Sequence, residues 1–432
     1  MSLRVRAVFS PLLQRAAVTF AALRHRNYRL WFFGQMFSLM GTWMQSVAQG
    51  WVVYELTSSK FLLGLVSFAG SIPTMFLMIP GGALADRIPK RRILLITQTA
   101  MMLQAAILAT LALTERLQVW HVALLAFSLG VAQSFDAPTR QALAVEMVED
   151  RRDLMSAIAM NSLMFNVARI VGPSVGGVVL ALLGPAWCFY LNAFSFLAVL
   201  GALLLMRFPA GLSRLQAEPL RAQIGAGLHY IRRHVVVRSI IALAGVSSLF
   251  GFFHTILLPA FAVDRLQVGK TGLGLLQGTI GVGAVIGAVT VAALGRSRYK
   301  GLLLTAGSLL FPVAAIVFAH SVWFPLSLVC LALAGYGVVA QNASSNTLVQ
   351  SIVPDKLRGR VMSVYTLMFF GTTPMGSLMA GSLAQGLGPA WAVTVGSGIA
   401  LLFAAGVALA VPALRRRDTV AEGGGAGAEE AA

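Results

Sequence analysis

Apolar runs of about 20 residues recur along nearly the whole chain, and each is long enough to cross a hydrocarbon core about 30 Å thick. The sequence is 57% hydrophobic and only 11% charged, which excludes an ordinary soluble globular protein. It therefore predicts an all-α polytopic membrane protein with twelve transmembrane helices. The spans are expected at 29–54, 61–85, 93–114, 119–136, 156–183, 186–207, 237–263, 272–294, 301–319, 322–345, 359–385 and 389–411.

The net charge of +18 could suggest a nucleic-acid partner, but the positions of the cations indicate a membrane topology instead. With the N-terminus inside, 28 of the 33 Lys and Arg residues fall in segments predicted to be cytoplasmic. This bias follows the positive-inside rule. We therefore expect a lipid bilayer as the surroundings, both termini in the cytoplasm, and no nucleic-acid partner.

Internal repeats divide the predicted spans into six and six. The matches are GPAW at 184–187 and 388–391 (offset 204), Leu143 with Leu348 (offset 205), and Leu84 with Leu294 (offset 210). Two pseudo-symmetric six-helix bundles are typical of a transporter that rocks about a central site. The expected segments are a basic N-terminal arm (1–27), an N-terminal bundle (28–207), a cytoplasmic connection (208–236), a C-terminal bundle (237–411) and a disordered cytoplasmic tail (412–432).

A short charged segment, GGALADRIPKRR, joins the second and third spans. It resembles the signature of the major facilitator superfamily at this position, with Pro89 where the family usually has Gly. The matching residues are Gly82, Asp86, Arg87, Lys90 and Arg91. The phrases RHRNYRLWFFGQ, GTWMQSVAQGWVVYELT and FDAPTRQAL further resemble the bacterial subgroup that includes the enterobactin exporter.

This resemblance implies an inner gate at the charged segment. Asp86 would face the inner end of the eleventh helix, and a nearby cation would pair with an acid at the end of the fourth helix. Asp136 matches that acid by position. The alternative is that these charges only fix the topology, although topology requires cations and gives Asp86 no role.

The fifth span resembles the antiporter signature that the family associates with exporters. The matching residues are Ala168, Gly172, Pro173, Gly176 and Gly177. As a bare string these residues could instead serve close helix packing. Arg169, the one cation away from the ends of the predicted spans, either lines a cavity or links to the gate, or else forms a structural pair with a helix-end carbonyl or acid.

Polar residues at helical spacing predict a substrate cavity at the centre of the molecule. The set consists of Gln35, Ser38, Thr42, Gln45 and Gln49 in the first span, with Asn166, Arg169, Gln341 and Asn342 elsewhere. A row of glutamines facing lipid would be costly, so the stripe is expected to face protein or water. Interhelical hydrogen bonding without a substrate role is the alternative.

ATP is not expected to drive transport, because the sequence has no phosphate-binding loop, and coupling to protons is the hypothesis. The titratable candidates are Glu55, Asp264 and His254. Each could instead be structural: a solvated helix-end carboxylate in the first two cases, a hydrogen-bonded histidine in the third. No metal or cofactor is expected, and the two cysteines show no motif spacing.

Together these features predict a secondary active exporter of an amphipathic small molecule, of the siderophore or drug type, in the bacterial inner membrane. It is expected to work by alternating access and proton antiport, as a monomer. A lysophospholipid transporter and a solute uptake symporter are alternatives, and a transport-dead sensor or scaffold is the alternative from another class. We expect no enzyme, because the sequence lacks a convergent acid, base or metal set.

Overall fold

A computed structural model describes residues 21–85, 87–148, 153–206, 228–294 and 299–414. All regular secondary structure in these ranges is helical, as predicted. The long helices are α1 (Arg26–Thr57), α2 (Lys60–Ala85), α3 (Lys90–Leu113), α4 (Val119–Glu146), α5 (Leu154–Leu182), α6 (Pro185–Leu205), α7 (Val235–Phe250), α8 (Gly269–Leu294), α9 (Lys300–His320), α10 (Phe324–Ile352), α11 (Asp355–Leu387) and α12 (Pro389–Ala410). Short helical turns lie at Ala21–Arg24, Phe253–Ile256, Leu258–Ala260, Phe261–Arg265 and Pro412–Leu414.

Among the described residues, 10 helical segments are long and apolar enough to cross a membrane. Helices α1 and α11 are not among them, although each exceeds the roughly 20 residues that a span requires. Both carry more polar side chains than the others, and the glutamines predicted to face the cavity lie in α1. The finding supports a polytopic membrane protein, and the number of spans stays a prediction.

Two helices continue well past the spans predicted from hydropathy. The fourth span was expected to end at 136, but α4 runs to Glu146; the tenth was expected to end at 345, but α10 runs to Ile352. An apolar run marks where a helix leaves hydrocarbon, whereas a helix ends where its backbone hydrogen bonds stop. Residues such as Gln, Ala and Leu continue a helix readily into water.

The seventh predicted span, 237–263, is not one regular helix. Helix α7 ends at Phe250, and short helical turns and a π-helical turn, Phe261–Arg265, continue the chain. Pro259 lacks a backbone N–H and so interrupts the regular ladder. Together these pieces still form one apolar segment, Val235–Arg265, that could cross a membrane.

The described chain divides into two compact units. The first comprises 1–48, 77–117 and 128–216, and the second comprises 49–76, 118–127 and 217–432, including parts that the structure does not describe. The second unit therefore contains the end of α1 and the first part of α2 together with the C-terminal helices. The predicted division at 208–236 stays a prediction, and most of that connection lies outside the described residues.

The core of the first unit is built at the end of α1 that begins with Arg26. Tyr28 and Trp31 are 1% exposed and pack with Leu94 of α3 and Met160 of α5. The Tyr28 hydroxyl donates a hydrogen bond of 2.8 Å to the carbonyl oxygen of Ala157. These contacts fix the start of α1 against α3 and α5.

Small residues bring α8 and α10 of the second unit into backbone contact. A Cβ atom at Gly335 would lie 2.1 Å from the carbonyl oxygen of Ile280, and one at Gly283 would lie 1.8 Å from that of Ala332. No side chain fits at either position. Such close approach is a usual way in which membrane helices associate, because lipid offers no hydrophobic driving force between them.

Candidate functional site

Four charged side chains of the second unit form two ion pairs at the ends of four helices. Lys60 begins α2, and its Nζ lies 3.0 Å from Oδ2 of Asp264 in the π-helical turn. Lys270 lies in the first turn of α8, and its Nζ lies 3.4 Å from Oε1 of Glu55 near the end of α1. We refer to these four residues as the lysine–acid cluster. The positive-inside distribution predicts that it faces the outer side of the membrane.

Aromatic side chains of α1 support both lysines. The Tyr54 hydroxyl donates a hydrogen bond of 2.5 Å to Oδ2 of Asp264, and Lys60 Nζ lies 5.4 Å from the centroid of the same ring. Lys270 Nζ lies 5.7 Å from the Trp51 ring. A cation over an aromatic face gains about 0.5–1 kcal/mol at exposed sites. Each lysine therefore has two partners, an acid and a ring.

The two ion pairs are reciprocal in terms of the internal repeat. Lys60 and Lys270 differ by 210 positions, the same offset that relates Leu84 to Leu294. Glu55 and Asp264 differ by 209 positions. Each lysine thus pairs with the acid of the other copy, as expected of a contact across a pseudo-two-fold axis.

Close backbone packing accompanies the cluster. A Cβ atom at Gly64 of α2 would lie 2.5 Å from the carbonyl oxygen of Ser377 and 2.8 Å from Cα of Gly381, both in α11. Nearby, Oε1 of Gln385 accepts hydrogen bonds from the backbone N–H groups of Lys60 (3.1 Å) and Phe61 (3.3 Å). Because the first N–H groups of a helix lack partners within it, Gln385 caps α2 from α11.

In the first unit, the carboxylate of Asp136 is buried inside α4. It is 4% exposed, and its Oδ1 accepts hydrogen bonds from Thr97 Oγ1 at 3.1 Å and Gln98 Nε2 at 2.8 Å. Its Oδ2 lies 3.7 Å from Nε of Arg140, one turn further along α4. Asp136 was expected at the end of the fourth helix; it lies inside that helix because α4 continues to Glu146.

The acid that the structure does have at the end of α4 is Glu146. Its Oε1 lies 2.6 Å from Nζ of Lys90, which begins α3 and belongs to the signature between α2 and α3. Nη2 of Arg91 donates a hydrogen bond of 3.0 Å to the carbonyl oxygen of Leu204 at the end of α6. The signature cations thus bind the ends of neighbouring helices, where cations are favoured near carbonyl groups.

The other predicted gate residues are Asp86, Gly82 and Arg87. Asp86 lies outside the described residues, so its expected contact with the eleventh helix stays a prediction. Gly82 would admit a Cβ atom without any contact inside 4 Å, and Arg87 is exposed. Within the first unit, therefore, the described contacts of the signature are those of Lys90 and Arg91.

The residues of the polar stripe in α1 differ in their burial: some are buried, and others are partly exposed. Gln45 is 1% exposed; its Nε2 donates to Gln104 Oε1 at 3.1 Å, and its Oε1 accepts from Asn192 Nδ2 at 2.7 Å. For Gln45 this geometry favours the interhelical alternative. Gln35 and Ser38 are also buried, whereas Thr42 and Gln49 are partly exposed. A cavity role for the stripe stays a prediction.

The antiporter-type residues pack α5 against α1. A Cβ atom at Gly172 would lie 2.7 Å from the carbonyl oxygen of Met40, and one at Gly176 would lie 3.0 Å from Cα of Met44. The buried residues on this side are Ala168, Gly172, Pro173, Gly176 and Gly177. Close packing explains why these positions are small, and their role in antiport stays a prediction. The Arg169 guanidinium lies 5.9 Å from the Trp43 ring centroid.

The other predicted polar residues have local partners. Nε2 of Gln341 donates to Ser247 Oγ at 2.8 Å, so α10 is tied to α7 in the second unit. The carbonyl oxygen of Asn342 accepts a bond of 3.4 Å from the Tyr365 hydroxyl. Nδ1 of His254 lies 3.0 Å from the carbonyl oxygen of Gly251. In the first unit, Asn166 Nδ2 donates to the carbonyl oxygen of Ser162 at 2.8 Å.

Comparison with known proteins identifies the family. The sequence profile of the family described as transmembrane secretion effector matches residues 17–423. The chain belongs to this family. The predicted membership of the major facilitator superfamily is confirmed. This family of membrane transporters is consistent with the apolar helices described above.

Relatives of this chain include a drug efflux pump and siderophore transporters. The chain is 28% identical over 388 residues to the multidrug efflux pump Tap of Mycolicibacterium fortuitum, covering 88% of this chain and 94% of that protein. It is 27% identical to the staphyloferrin A transporter of Staphylococcus aureus, covering 83% and 90%. It is 28% identical to the enterobactin exporter EntS of Shigella boydii, covering 88% and 90%. These matches support an efflux transporter.

Solved structures share the fold at low sequence identity. A POT family transporter in complex with a thioalcohol-conjugated peptide gives a TM-score of 0.72 at 14% identity, with 90% of this chain and 97% of that chain covered. A mutant of the nucleoside transporter NupG gives 0.71 at 15% identity, with 91% and 100% covered. At such identity the likeness concerns the fold alone.

Three residues of the ion pairs described above were not among the site residues predicted from the sequence. Lys60 and Lys270 lie outside the segments predicted to be cytoplasmic, and their spacing of 210, which matches the repeat offset, is a sequence signal that could have identified them. Glu146 was missed because the fourth helix was predicted to end ten residues earlier, at 136. No sequence signal pairs Glu146 with Lys90; the pairing follows from the packing of α3 and α4.

Proposed function

We propose that this protein is a secondary active exporter that works by alternating access. In this proposal, twelve transmembrane helices form two pseudo-symmetric six-helix bundles, and both termini lie in the cytoplasm. The exporter acts as a monomer in the bacterial inner membrane, and it has no enzymatic role. The exported compound is an amphipathic small molecule of the siderophore or drug type, in keeping with the names of the relatives.

The observation that carries the proposal is the reciprocal pairing of the lysine–acid cluster. Each lysine pairs with the acid of the other repeat copy, near the end of α1, the starts of α2 and α8 and the π-helical turn Phe261–Arg265, where an outer gate of such a transporter would close. A transporter that alternates between two states must hold each gate weakly enough to release it. Partly exposed ion pairs are typically worth about 0.2–1 kcal/mol each, which meets that requirement.

Close packing gives the same gate its closed geometry. Gly64 allows α2 to contact the backbone of α11, and Gln385 caps α2 only while these two helices remain adjacent. Opening the gate would separate both contacts together with the ion pair between Lys60 and Asp264. The gate is thus a set of weak contacts that form and break as one unit.

Protonation of the acids offers a route for proton antiport. An uncharged carboxyl group at Asp264 or Glu55 would no longer attract its lysine, so protons arriving from the outer side would favour opening. Substrate would then leave as the gate opens, and the protons would leave on the inner side after it closes. His254, which contacts the carbonyl oxygen of Gly251, is a further candidate on the proton route.

Inverted membrane vesicles provide the test of export and coupling. With an acidic lumen, vesicles containing the protein should accumulate a transported dye or siderophore, and a protonophore should stop the accumulation. Vesicles carrying Lys60→Glu serve as the matched control and should accumulate far less. Accumulation that ignores the gradient would contradict proton antiport. Movement of substrate out of the same vesicles would indicate an uptake symporter instead.

A further inference from the structure

The first unit contains a cavity of about 260 Å³ between α4 and α5. Its polar lining consists of Arg140 and Gln141 on α4 and of Asn161, Ser162 and Asn166 on α5. Phe165 contributes an apolar wall and packs edge to face on Trp43 at 6.0 Å between ring centroids. The cavity therefore combines one cation, several neutral hydrogen-bonding groups and an aromatic surface.

Within the described residues, the guanidinium of Arg140 has one ionic partner, the carboxylate of Asp136. Its Nε lies 3.7 Å from Oδ2 of Asp136, and the other oxygen of this carboxylate is bonded to Thr97 and Gln98. In the part of the chain that the structure describes, no hydrogen bond from the terminal nitrogen atoms of Arg140 to protein is found. A planar guanidinium presents paired N–H groups that match the two oxygens of a carboxylate.

The α5 side of the cavity presents neutral hydrogen-bonding side chains opposite Arg140. Asn166 donates its side-chain N–H to the carbonyl oxygen of Ser162, one turn earlier in α5, so its amide is held in orientation. The side-chain amide of Asn161 and the hydroxyl of Ser162 also line the cavity, and each can donate to an oxygen atom. Phe165 lies in the same helical turn as Asn166 and offers aromatic surface for an apolar group.

We propose that this cavity binds the carboxylate end of an amphipathic organic anion, with Arg140 as the charged partner. The proposal rests on the proposed function, because the anion is then the acidic part of the exported compound. Ligand pockets for drug-sized molecules usually exceed about 300 Å³. A cavity of 260 Å³ accordingly receives one end of a larger molecule, with its aryl or alkyl portion next to Phe165.

A matched pair of probes isolates the charge. The full-length protein in detergent is titrated with 4-phenylbutanoate and, separately, with the neutral 4-phenylbutanamide, and the thermal unfolding midpoint is followed. Ligands that bind only the folded state raise this midpoint, and at a given ligand concentration the rise is larger for tighter binding, growing with the logarithm of the concentration divided by Kd. We expect the carboxylate to bind about tenfold or more tightly than the amide, since hydrogen bonds to charged groups are the stronger ones.

The variants decide whether Arg140 is the cause. Arg140→Gln should reduce the preference for the carboxylate to within about twofold, whereas Arg140→Lys should retain a part of it. Arg116→Gln removes the same charge from an exposed position of the same unit and should leave the preference unchanged. If Arg140→Gln does not fold, Asn161→Asp replaces it: a second carboxylate in the cavity should abolish the preference.

Equal affinity of the wild-type protein for the two probes would overturn the proposal. So would a carboxylate preference that survives both Arg140→Gln and Asn161→Asp. These binding measurements need no gradient, and the vesicle experiment needs no phenylbutanoate. Loss of proton-driven export with an intact carboxylate preference would therefore refute the proposed function alone, and the reverse result would refute the anion site alone.

Discussion

The lysine–acid cluster of the second unit and the buried carboxylate of Asp136 in the first unit hold charge in different ways. In the cluster, each acid is partly exposed and faces a lysine from the other repeat copy. Asp136 is 4% exposed and bonded mainly to neutral donors of α3. Its repeat equivalent, 205 positions later, is the amide of Gln341.

The charges of the cluster are present in both copies of the repeat, whereas the carboxylate of Asp136 is present in only one. A contact made equally by both copies suits a gate, because pseudo-symmetric halves close against each other through equivalent surfaces. A carboxylate present in one copy and replaced by an amide in the other breaks the symmetry. We therefore expect Asp136 and Arg140 to serve a task that the second half does not share, such as recognition of substrate.

Charge reversal in the cluster should produce the largest effect. Lys60→Glu places two acids side by side, and like charges about 4 Å apart near a protein surface repel by a few kcal/mol before screening by salt. We expect export to fall by at least about tenfold. The double variant Lys60→Glu with Asp264→Lys restores an attractive pair and should recover much of the activity. If the double variant is expressed normally but does not recover export, the role of this ion pair in export is contradicted.

Bulk at the contact between α2 and α11 should have the next largest effect. Gly64→Val introduces atoms where a Cβ alone would lie 2.5 Å from the carbonyl oxygen of Ser377. We expect severalfold slower export, with the labelled ends of α2 and α11 further apart in a spectroscopic distance measurement. Gly70→Ala is the control, since its Cβ would make only an ordinary contact of 3.6 Å. Equal export by the two variants would show that this packing does not matter.

Removal of the buried carboxylate should reduce stability more than removal of its repeat equivalent. Asp136→Leu leaves Gln98 and Arg140 without their partner, which should cost about 1–3 kcal/mol of unfolding free energy. Gln341→Leu loses one bond to Ser247, and about 0.5–1.5 kcal/mol is expected. Unfolding in detergent measures both. A larger loss for Gln341→Leu would contradict the asymmetry described above.

The smallest effect on substrate choice is expected at Gln45. Gln45→Leu removes the hydrogen-bond partners of Gln104 Oε1 and Asn192 Nδ2, so we expect a stability loss of about 1–3 kcal/mol. The ranking of transported compounds should nevertheless stay the same, because Gln45 is buried. Gln49→Leu, at a partly exposed position of the same stripe, is the comparison and should change that ranking. A changed ranking for Gln45→Leu alone would return this residue to the substrate cavity.

Sequence reasoning recovered the helical class of the fold because apolar runs directly reflect the thickness of a bilayer. It did not recover the end of α4 at Glu146, since hydropathy reports the membrane boundary and not the helix end. The end of α7 at Phe250, inside the predicted span, was also missed; Pro259 lies nine residues further on and signals only the later interruption.

Within the candidate sites, the sequence identified Glu55 and Asp264 as titratable candidates, but their partners could not be predicted from the sequence. The pairing of Lys60 with Asp264 joins residues 204 positions apart, and it follows from how α2 packs beside the turn after α7. Likewise, Arg140 is not among the site residues predicted from the sequence. Its place beside a cavity depends on the lateral packing of α4 and α5, which periodicity within one helix does not specify.

Reversible cross-linking of Lys60 to Asp264 tests the central claim most directly. Both positions are changed to Cys in a protein whose two buried cysteines, Cys188 and Cys330, are replaced by Ala. A short, reducible bifunctional thiol reagent then joins α2 to the turn after α7. If the cluster is a gate, the cross-linked protein should stop exporting, and reduction should restore export. Export at an undiminished rate by the fully cross-linked protein would contradict the account.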